Sequence, residues 1–129
     1  MVRLLVNEIS VMVVDDDVDL IEIMSDIIQG EGYSVVARAV NGDDAIECYK
    51  RYRPKLIIMD VIMPRKDGIE AAREILNINR NARIIMCSSI HPDDLVDVAK
   101  NVGAWGVLSK PYASEQVREI LESVLHDYQ

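Results

Sequence analysis

The chain has 129 residues, of which 50% are hydrophobic; this length suits one domain with its own core, because two domains would each be too small. Its 22 acidic residues outnumber its 14 basic residues and give a net charge of −8, which argues against a surface that binds nucleic acid. No stretch approaches the ~20 apolar residues of a membrane span, so we expect a cytoplasmic protein without membrane contact.

The first part of the chain alternates between the patterns of strands and helices. The run from Ile9 to Val14 predicts a first strand, and a helix pattern follows it. The apolar stripe of that helix consists of Leu20, Ile23, Met24, Ile27 and Ile28. A second strand is predicted from Ser34 to Val40, followed by a plain turn at Asn41-Gly42. The face of the second helix consists of Ala45, Ile46 and Tyr49.

The remaining chain continues the alternation. The third strand, from Leu56 to Met59, is apolar throughout, as expected where helices cover both faces of a sheet. Two further strands are predicted from Ile84 to Cys87 and from Trp105 to Ser109, and Pro92 and Gly103 mark the two ends of the helix between them. The inward faces of the last three helices consist of Ile69, Ala72, Ile75 and Leu76, then Leu95, Val98, Ala99 and Val102, then Val117, Ile120, Leu121, Val124 and Leu125.

Five strand–helix units in strict alternation predict an α/β fold with a parallel sheet, right-handed crossovers and helices on both faces. In open sheets of this kind, ligands bind outside the carboxyl ends of the strands. The residues that directly follow each strand are therefore the candidates for function.

Polar and charged side chains follow four of the five strands, namely Asp15, Asp16, Asp17, Asp60, Ser88, Ser89 and Lys110. Two like charges ~4 Å apart repel by about 4 kcal/mol at an effective dielectric of about 20, so converging carboxylates need raised pKa values or a bound cation. Hard oxygen ligands with room for water suit Mg²⁺. A carboxylate can also accept a phosphoryl group as an acyl phosphate, with metal, lysine and hydroxyl stabilising the transfer. The pattern therefore predicts a phosphoryl-accepting aspartate.

Other roles for the acidic residues explain fewer of these residues than a phosphoryl-accepting site does. Asp17 alone is well placed to cap the first helix and complement its dipole. A calcium loop fails, because Leu20 stands where glycine is required and Asp26 where glutamate is required. A nucleotide-binding sheet would need a glycine-rich turn after the first strand. A hydrolase for small substrates would need a further general acid–base, and no strand ends in His or Glu.

Four motifs carry a resemblance to a known family, and they are Val13 to Asp16, Met59 to Pro64 with Asp67-Gly68, Ser88-Ser89 and Lys110-Pro111. Their order and spacing resemble the receiver domain of two-component response regulators, in particular the stand-alone, CheY-like chemotaxis type. The resemblance implies a flavodoxin-like (βα)5 fold with strand order 2-1-3-4-5, forming a single receiver domain over residues 1–129.

The resemblance also implies a site for Mg²⁺, with Mn²⁺ as a substitute. Asp60 would be the phosphoacceptor. Asp16 and Asp60 would ligate the metal with their side chains, and the backbone carbonyl of Ile62 would complete the protein ligands. Asp15 would belong to the same metal site and act mainly through metal-bound water.

Two further residues would complete the reaction centre by this resemblance, Ser88 as the switch hydroxyl and Lys110 as the phosphate-binding lysine. The phosphoryl donor would be a sensor histidine kinase or a phosphotransfer protein. The protein would catalyse only its own phosphorylation and dephosphorylation, and so is not expected to be a turnover enzyme. Its output would be altered binding of a downstream protein at the face formed by the fourth helix, fifth strand and fifth helix, as a monomer or a phosphorylation-dependent dimer.

Alternatives remain at this point. A receiver-like interaction scaffold, or a phosphorelay intermediate without an output domain, would share the same fold. An appended DNA-binding domain has no support, because no linker or basic helix-turn-helix pattern follows Leu125.

The sequence departs from the family pattern at two places. Val107 stands where the family has an aromatic switch residue, and Trp105 lies on the same side of that strand. We expect either that Trp105 contributes to the output surface or that it only packs. Ile62 and Ile90 lie two residues beyond the acceptor and the switch serine, where polar side chains would position attacking water. Two isoleucines there would shield the acyl phosphate and slow its hydrolysis.

Overall fold

The computed structural model describes Leu5 and residues 8–128; the outermost residues of the predicted domain, 1–4 and 129, lie outside this description, as do residues 6 and 7. Five parallel strands form one sheet in the order β2-β1-β3-β4-β5. The strands are β1 (Ser10–Val14), β2 (Ser34–Ala39), β3 (Leu56–Asp60), β4 (Arg83–Ser88) and β5 (Gly106–Ser109). This topology confirms the predicted flavodoxin-like fold.

Helices cover the two faces of the sheet, and a short 3₁₀ turn (His126–Tyr128) follows the last of them. They are α1 (Val18–Gly30), α2 (Gly42–Tyr52), α3 (Gly68–Ile78), α4 (Pro92–Val102) and α5 (Ser114–Leu125). One buried cluster joins α2, α3 and α4 to the sheet, and a second joins α1 and α5 to its other face. None of the helices in the described part of the chain is long and apolar enough to cross a membrane.

The central strands alternate their side chains between these two clusters. In β3, Ile57 and Met59 pack under α2–α4, whereas Leu56 and Ile58 pack under α1 and α5. Every residue of β3 is buried, as expected for a strand covered on both faces. Because the chain leaves the apolar interior only at the strand ends, polar groups are concentrated there.

The helix ends follow the predicted capping pattern with one addition. The Asp17 side chain accepts hydrogen bonds from the backbone N–H groups of Asp19 and Leu20, which confirms it as the cap of α1. Gly103 ends α4 with φ 92°, a left-handed conformation that glycine adopts without a Cβ penalty. Asn41, expected only in a plain turn, caps α2 by accepting from the Asp44 N–H.

The predicted inward stripe of α1 is partly wrong. Ile23 is 51% exposed, whereas Ile21, which the spacing did not select, is buried. The stripe that packs on the sheet consists of Ile21, Met24, Ser25 and Ile28. Ile23 instead lines an apolar surface groove of about 390 Å³ together with Leu20 and Tyr112. The helix carries more apolar residues than its buried face can use, and hydrophobic spacing alone does not show which side faces inward.

At the amino ends of the strands, a cluster that we call the amino-end latch surrounds the buried side chain of Arg83. Its guanidinium donates to both carboxylate oxygens of Asp127, at 2.5 and 2.7 Å, and to the backbone carbonyl of Val124 at 2.6 Å. The rings of Trp105 and Tyr128 have their centroids 4.2 and 4.1 Å from the guanidinium carbon. The latch therefore joins β4, the residue before β5 and the 3₁₀ turn.

Candidate functional site

Three segments that are distant in sequence meet at the carboxyl ends of the strands. Asp15 follows β1 and Asp60 ends β3, and these residues are only 6% and 5% exposed. The ammonium of Lys110, which follows β5, lies 2.8 Å from Asp15 Oδ2 and 3.3 Å from Asp60 Oδ1. One cation therefore bridges two buried carboxylates, and we call this site, together with the neighbouring Asp16, the acidic cleft.

Backbone hydrogen bonds fix where the segments leave the sheet. The N–H of Asp15 donates to Ala39 O at 3.1 Å, and the N–H of Lys110 donates to Ser88 O at 2.8 Å. The parallel register sets Asp60 beside Cys87 of β4. The functional side chains thus extend from backbone that is still paired with its neighbours, which restricts their freedom.

Asp16 completes an acidic cluster although its side chain is exposed. One carboxylate oxygen each from Asp15, Asp16 and Asp60 lies within 4.8 Å of the other two. Only Lys110 among the described cations pairs with this cluster, so the carboxylates outnumber their counter-charge. Carboxylate oxygens are the donors that hard divalent cations prefer, and the excess negative charge would favour one. The cluster could therefore hold a metal ion.

The electrostatics of the cleft reflect this imbalance. Burial raises the pKa of the Asp60 carboxyl to about 6, the charges of Asp15 and Asp16 act in the same direction, and Lys110 opposes them. Burial alone would lower the pKa of Lys110, but the hydrogen bond to Asp15 and the charges of Asp60 and Asp15 outweigh it and raise that pKa. At neutral pH, the acceptor candidate is therefore ionised and the lysine is fully charged.

The cysteine beside the cleft does not compete as a nucleophile. Cys87 is buried next to Asp60 in the register of β3 and β4. Burial raises the pKa of its thiol to about 12, so almost no thiolate exists at neutral pH. Nucleophilic chemistry at this edge belongs to the carboxylates.

Ser88 stands at the end of β4, one residue beyond Cys87, and its side chain is buried. Its hydroxyl oxygen accepts a hydrogen bond from the Ile90 N–H at 3.2 Å. Its carbonyl accepts from the Lys110 N–H, so the strand ends of β4 and β5 are tied at this residue. The hydroxyl oxygen therefore bonds to its own loop, and rotation about χ1 would release it.

The connection from β3 to α3 returns closely past Asp60. The Gly68 N–H donates to Val61 O at 2.9 Å. A Cβ built on Gly68 would lie only 1.9 Å from the backbone oxygen of Asp60, so no other residue fits here without displacing the end of β3. The Asp67-Gly68 pair belongs to one of the four sequence motifs, and this close approach is its physical reason.

A second contact of this connection could not be read from the sequence. The Gly42 N–H at the start of α2 donates to Lys66 O at 2.9 Å, and the Lys66 ammonium lies 2.5 Å from Glu74 and 3.4 Å from Asp43. Lys66 thereby joins the loop that contains Ile62 to both α2 and α3. Its partners come from two helices, so no local spacing predicts the contact.

The residues at which the chain departs from the family pattern lie around the cleft and at the far end of β5. Ile62 is 62% exposed and Ile90 is half-buried. Val107 is half-buried and packs against the core under α4. Trp105 is half exposed beside the groove between α4 and β5, and its ring stacks on Arg83.

Comparison with known proteins gives consistent matches. A family model described as "Response regulator receiver domain" matches residues 11–122. The chemotaxis protein CheY of Bacillus subtilis is 39% identical over 116 residues, which cover 90% of this chain and 97% of the relative. CheY of Thermotoga maritima is also 39% identical, over 88% of this chain and 95% of its own.

Among solved structures, a similar fold occurs in the CheX–CheY–BeF3–Mg²⁺ complex from Borrelia burgdorferi. The matched chain superposes with a TM-score of 0.86 at 30% identity, over 90% of this chain and 88% of the other. High-resolution CheY4 of Vibrio cholerae superposes with a TM-score of 0.82, also at 30% identity, over 90% of this chain and 98% of the other.

Proposed function

The chain belongs to the response regulator receiver domain family, as a CheY-like, phosphorylation-switched protein of two-component signalling, and from this premise we propose that Asp60 is its phosphoacceptor. Asp60 is the only one of the three clustered carboxylates that ends the central strand β3. Its Oδ1 faces Lys110, and within the described residues its Oδ2 has no hydrogen-bond partner. We assign the attack on phosphorus to Oδ2.

The reaction transfers one phosphoryl group without turnover of a substrate. An oxygen of ionised Asp60 forms the new P–O bond while the P–N bond of a donor phosphohistidine breaks, and the imidazole takes up a proton. With acetyl phosphate, the broken bond is P–O and acetate leaves. The Asp60 carboxyl has a pKa of about 6, so it is ready as a nucleophile near neutral pH. The only activity proposed is this self-phosphorylation and the later hydrolysis of the acyl phosphate, in which water takes the phosphoryl group as inorganic phosphate and the Asp60 carboxylate is restored.

Mg²⁺, with Mn²⁺ as a substitute, is the cofactor that the cluster fits. The side chains of Asp16 and Asp60 and the backbone carbonyl of Ile62 would hold it, with Asp15 contributing through bound water. When bound, Mg²⁺ would neutralise charge on the transferring phosphoryl group. In the described structure Asp15 has a second task, because it holds Lys110 at 2.8 Å.

Lys110 and Ser88 form the switch in this proposal. Phosphorylation replaces the single negative charge of ionised Asp60 with about −2 on the phosphoryl oxygens, and Lys110 then turns from Asp15 towards these oxygens. The Ser88 hydroxyl leaves the Ile90 N–H and donates to another phosphoryl oxygen. Because the Lys110 N–H also bonds to Ser88 O, these movements are coupled between the loops after β4 and β5.

Several contacts must act together to complete the switch. Moving a two-state equilibrium from 1:99 to 99:1 needs about 5.5 kcal/mol of differential stabilisation. A hydrogen bond to a charged group contributes about 1.5–3 kcal/mol. The lysine and serine contacts together contribute about 3–6 kcal/mol and reach the requirement only near the upper limit, whereas either one alone falls short.

A histidine kinase or phosphotransfer protein is the proposed donor, and a downstream protein is the proposed target. The target would bind at the face of α4, β5 and α5, where surface grooves of about 200 and 420 Å³ flank the edge strand β5. Trp105 borders the smaller groove, so it is placed to contribute. The Borrelia burgdorferi CheY was solved with CheX, and an analogous protein contact is proposed here.

The remaining parts of the proposal follow the sequence expectations. The chain would act as one receiver domain in the cytoplasm, as a monomer or as a phosphorylation-dependent dimer. It would have no nucleic acid as its output partner.

The observation that carries the proposal is the bridging of buried Asp15 and Asp60 by Lys110. It is tested by incubating the protein with acetyl phosphate and Mg²⁺ and measuring intact mass. We expect the mass of one added phosphoryl group on the unaltered protein. No addition is expected when a chelator removes Mg²⁺ before acetyl phosphate is supplied, and none is expected on Asp60→Asn. Equal labelling of Asp60→Asn would place the acceptor elsewhere and contradict the proposal.

A further inference from the structure

The end of the molecule opposite the acidic cleft carries a concentration of positive charge. Residues 50–55 read Lys-Arg-Tyr-Arg-Pro-Lys and contain four of the 14 basic residues of the chain without an acidic one. The rest of the chain has ten basic residues against 22 acidic ones. The segment joins the end of α2 to the start of β3, so it lies at the amino ends of the strands. The protein is therefore strongly polarised along its strands.

Most of these cations are not neutralised within the described part of the chain. Lys50 lies 3.6 Å from Glu47, but Arg51, Arg53 and Lys55 have no carboxylate partner there. They contact aromatic rings instead: the guanidinium of Arg53 lies 5.5 Å from the Tyr49 ring centroid, and the ammonium of Lys55 lies 5.8 Å from that of Tyr128. The charges thus remain available to an external anion.

Two of these cations line a polar groove of about 400 Å³. We call it the basic groove, and the residues with polar groups in its lining are Tyr49, Arg53, Lys55, Asn79, Asn81 and Tyr128. The side chain of Asn79 is already hydrogen-bonded within the protein, since it donates to the Tyr49 hydroxyl at 2.9 Å and accepts from the Asn81 N–H at 2.9 Å. The side-chain amide of Asn81 has no described partner and can donate to a ligand. Arg80, exposed in the same connection, adds a further unpaired cation.

We propose that the basic groove docks an acidic segment of a partner protein. Arg53 and Lys55 are both exposed, and the buried hydroxyl of Tyr49 in the lining is already bonded to Asn79. The groove therefore lacks the enclosed set of converging donors that a small phosphorylated ligand requires. The unpaired charges extend from the end of α2 to the α3–β4 connection, which suits a run of carboxylates. Tyr52, 47% exposed beside Arg51, offers apolar contact at the edge.

The acidic remainder of the surface supports the specificity of this contact. A chain of carboxylates is repelled by the cleft and by the acidic first turn of α4, where Asp93 and Asp94 lie, and is attracted most strongly at the opposite end, where unpaired cations are concentrated. The contact uses residues distinct from Asp60, Ser88 and Lys110. The proposed contact can therefore be tested separately from the phosphorylation reaction.

The test uses a fluorescein-labelled oligo-glutamate peptide and fluorescence anisotropy with the whole protein at low salt. We expect measurable binding that weakens as salt is added. Arg53→Gln/Lys55→Gln should weaken it about tenfold, and the matched control Arg73→Gln/Lys100→Gln, which removes two other exposed cations, should change it by less than about twofold. Labelling by acetyl phosphate should be unchanged in both double variants.

Three results would overturn the proposal. The first is no peptide binding by the unaltered protein at low salt. The second is an equal loss in the control, which would mean that only net charge matters. The third is tighter binding of an oligo-uridylate of the same charge, which would assign the groove to nucleic acid. Since Arg53 caps α2, Lys55→Gln/Arg80→Gln provides a second variant that leaves the cap intact and should weaken peptide binding similarly.

Discussion

The two ends of the sheet both hold buried charge, but they treat it in opposite ways. In the amino-end latch, one guanidinium meets the carboxylate of Asp127, a backbone carbonyl and two aromatic rings. In the acidic cleft, Asp15 and Asp60 share one ammonium, and Asp16 adds a third carboxylate. The first cluster is balanced, whereas the second carries an excess of negative charge.

This difference separates a structural role from a functional one. A buried charge that is paired and hydrogen-bonded holds its neighbours together, and removing one partner alone is costly, although replacing the whole pair with apolar residues can cost little. A buried group in conflict with its neighbours lowers stability and persists where chemistry requires it. The pKa of Asp60 is raised to about 6, which shows that its surroundings disfavour the charged carboxylate. The pKa of Asp127 is lowered by its hydrogen bond from Arg83, which shows that its surroundings favour the charged carboxylate.

The largest effect on function is expected from Asp60→Asn, which should abolish phosphorylation and at the same time stabilise the fold. The substitution keeps the shape of the side chain but removes a charge that burial and Asp15 disfavour. The expected gain in the free energy of unfolding at pH 7 without Mg²⁺ is on the order of 1–2 kcal/mol, after allowing for the lost contact with Lys110. Urea unfolding measures it. A clear loss of stability would mean that the cleft is as balanced as the latch.

The same variant gives a pH dependence with a defined sign. Because the folded-state pKa of Asp60 is raised above the value of about 3.9 for an unfolded carboxyl, the folded protein takes up this proton first as the pH falls. The penalty of the charged form is therefore complete above pH 6 and disappears by pH 4. The stability advantage of Asp60→Asn should fade across that range, and a constant advantage would contradict it. Asp127 acts oppositely, since its contribution is lost as the pH falls below its usual pKa.

A second, large effect is expected at the other end. Arg83→Met should lower the free energy of unfolding by about 2–4 kcal/mol, because it removes buried charge-assisted hydrogen bonds and two ring contacts together. Phosphorylation with acetyl phosphate should change by less than about threefold, since the latch and the cleft lie at opposite ends of the strands.

Arg118→Met is the matched control for the latch, because Arg118 pairs with Glu31 at the surface. An exposed pair of this kind contributes about 0.2–1 kcal/mol. If the two methionine variants unfold at the same urea concentration, Arg83 contributes no more than a surface ion pair and the comparison of the two ends fails.

A smaller effect is expected at Lys66, which supports the cleft from outside it. Lys66→Met removes the contacts to Asp43 and Glu74 but keeps the backbone bond from Gly42. We expect the rate of phosphorylation by acetyl phosphate to fall about three- to tenfold with a higher Mg²⁺ requirement, because misplacing a positioned group is costly. Amide exchange at Gly68 should become faster. Lys100→Met, on an exposed face of α4, should leave both readouts unchanged.

The smallest effect concerns the shielding of the product. Ile62→Asn or Ile90→Asn should shorten the lifetime of phosphorylated Asp60 by about two- to tenfold, within the range of a single positioned water contact. Because Ile62 is largely exposed, Asn there has room to hold an attacking water. The decay is followed by intact mass after removal of the donor. A lifetime unchanged in both variants would show that the isoleucines do not shield the acyl phosphate.

Much of the fold and the residues of the cleft could be predicted from the sequence. Asp15, Asp60 and Lys110 stand out because strict strand–helix alternation places strand ends along one edge, and their juxtaposition follows from topology alone. Strand order came from the family resemblance, since alternation does not determine which strands are neighbours. Whether the Ile62 carbonyl and Ser88 act as the resemblance implies stays a prediction.

Several features could not be predicted, for identifiable reasons. Ile23 and Ile21 of α1 are both apolar, and only packing decides which of them is buried. Arg83 reads as an ordinary polar residue before a strand, because its ring and carboxylate partners come from elements more than 20 positions away. Tertiary contacts of this kind leave no local signal in the pattern of residues.

The bridge between Asp15 and Lys110 joins residues 95 positions apart, and this separation limits when the protein can receive a signal. With Asp60 as the proposed acceptor and Lys110 as the proposed phosphate-binding residue, a growing chain on the ribosome would contain the acceptor midway through synthesis but would lack this lysine until the last strand emerges and pairs with β4. Incomplete chains would therefore not be phosphorylated efficiently. The ability to accept a phosphoryl group would arise only when the sheet is complete, so incompletely synthesised chains would not enter the signalling pathway.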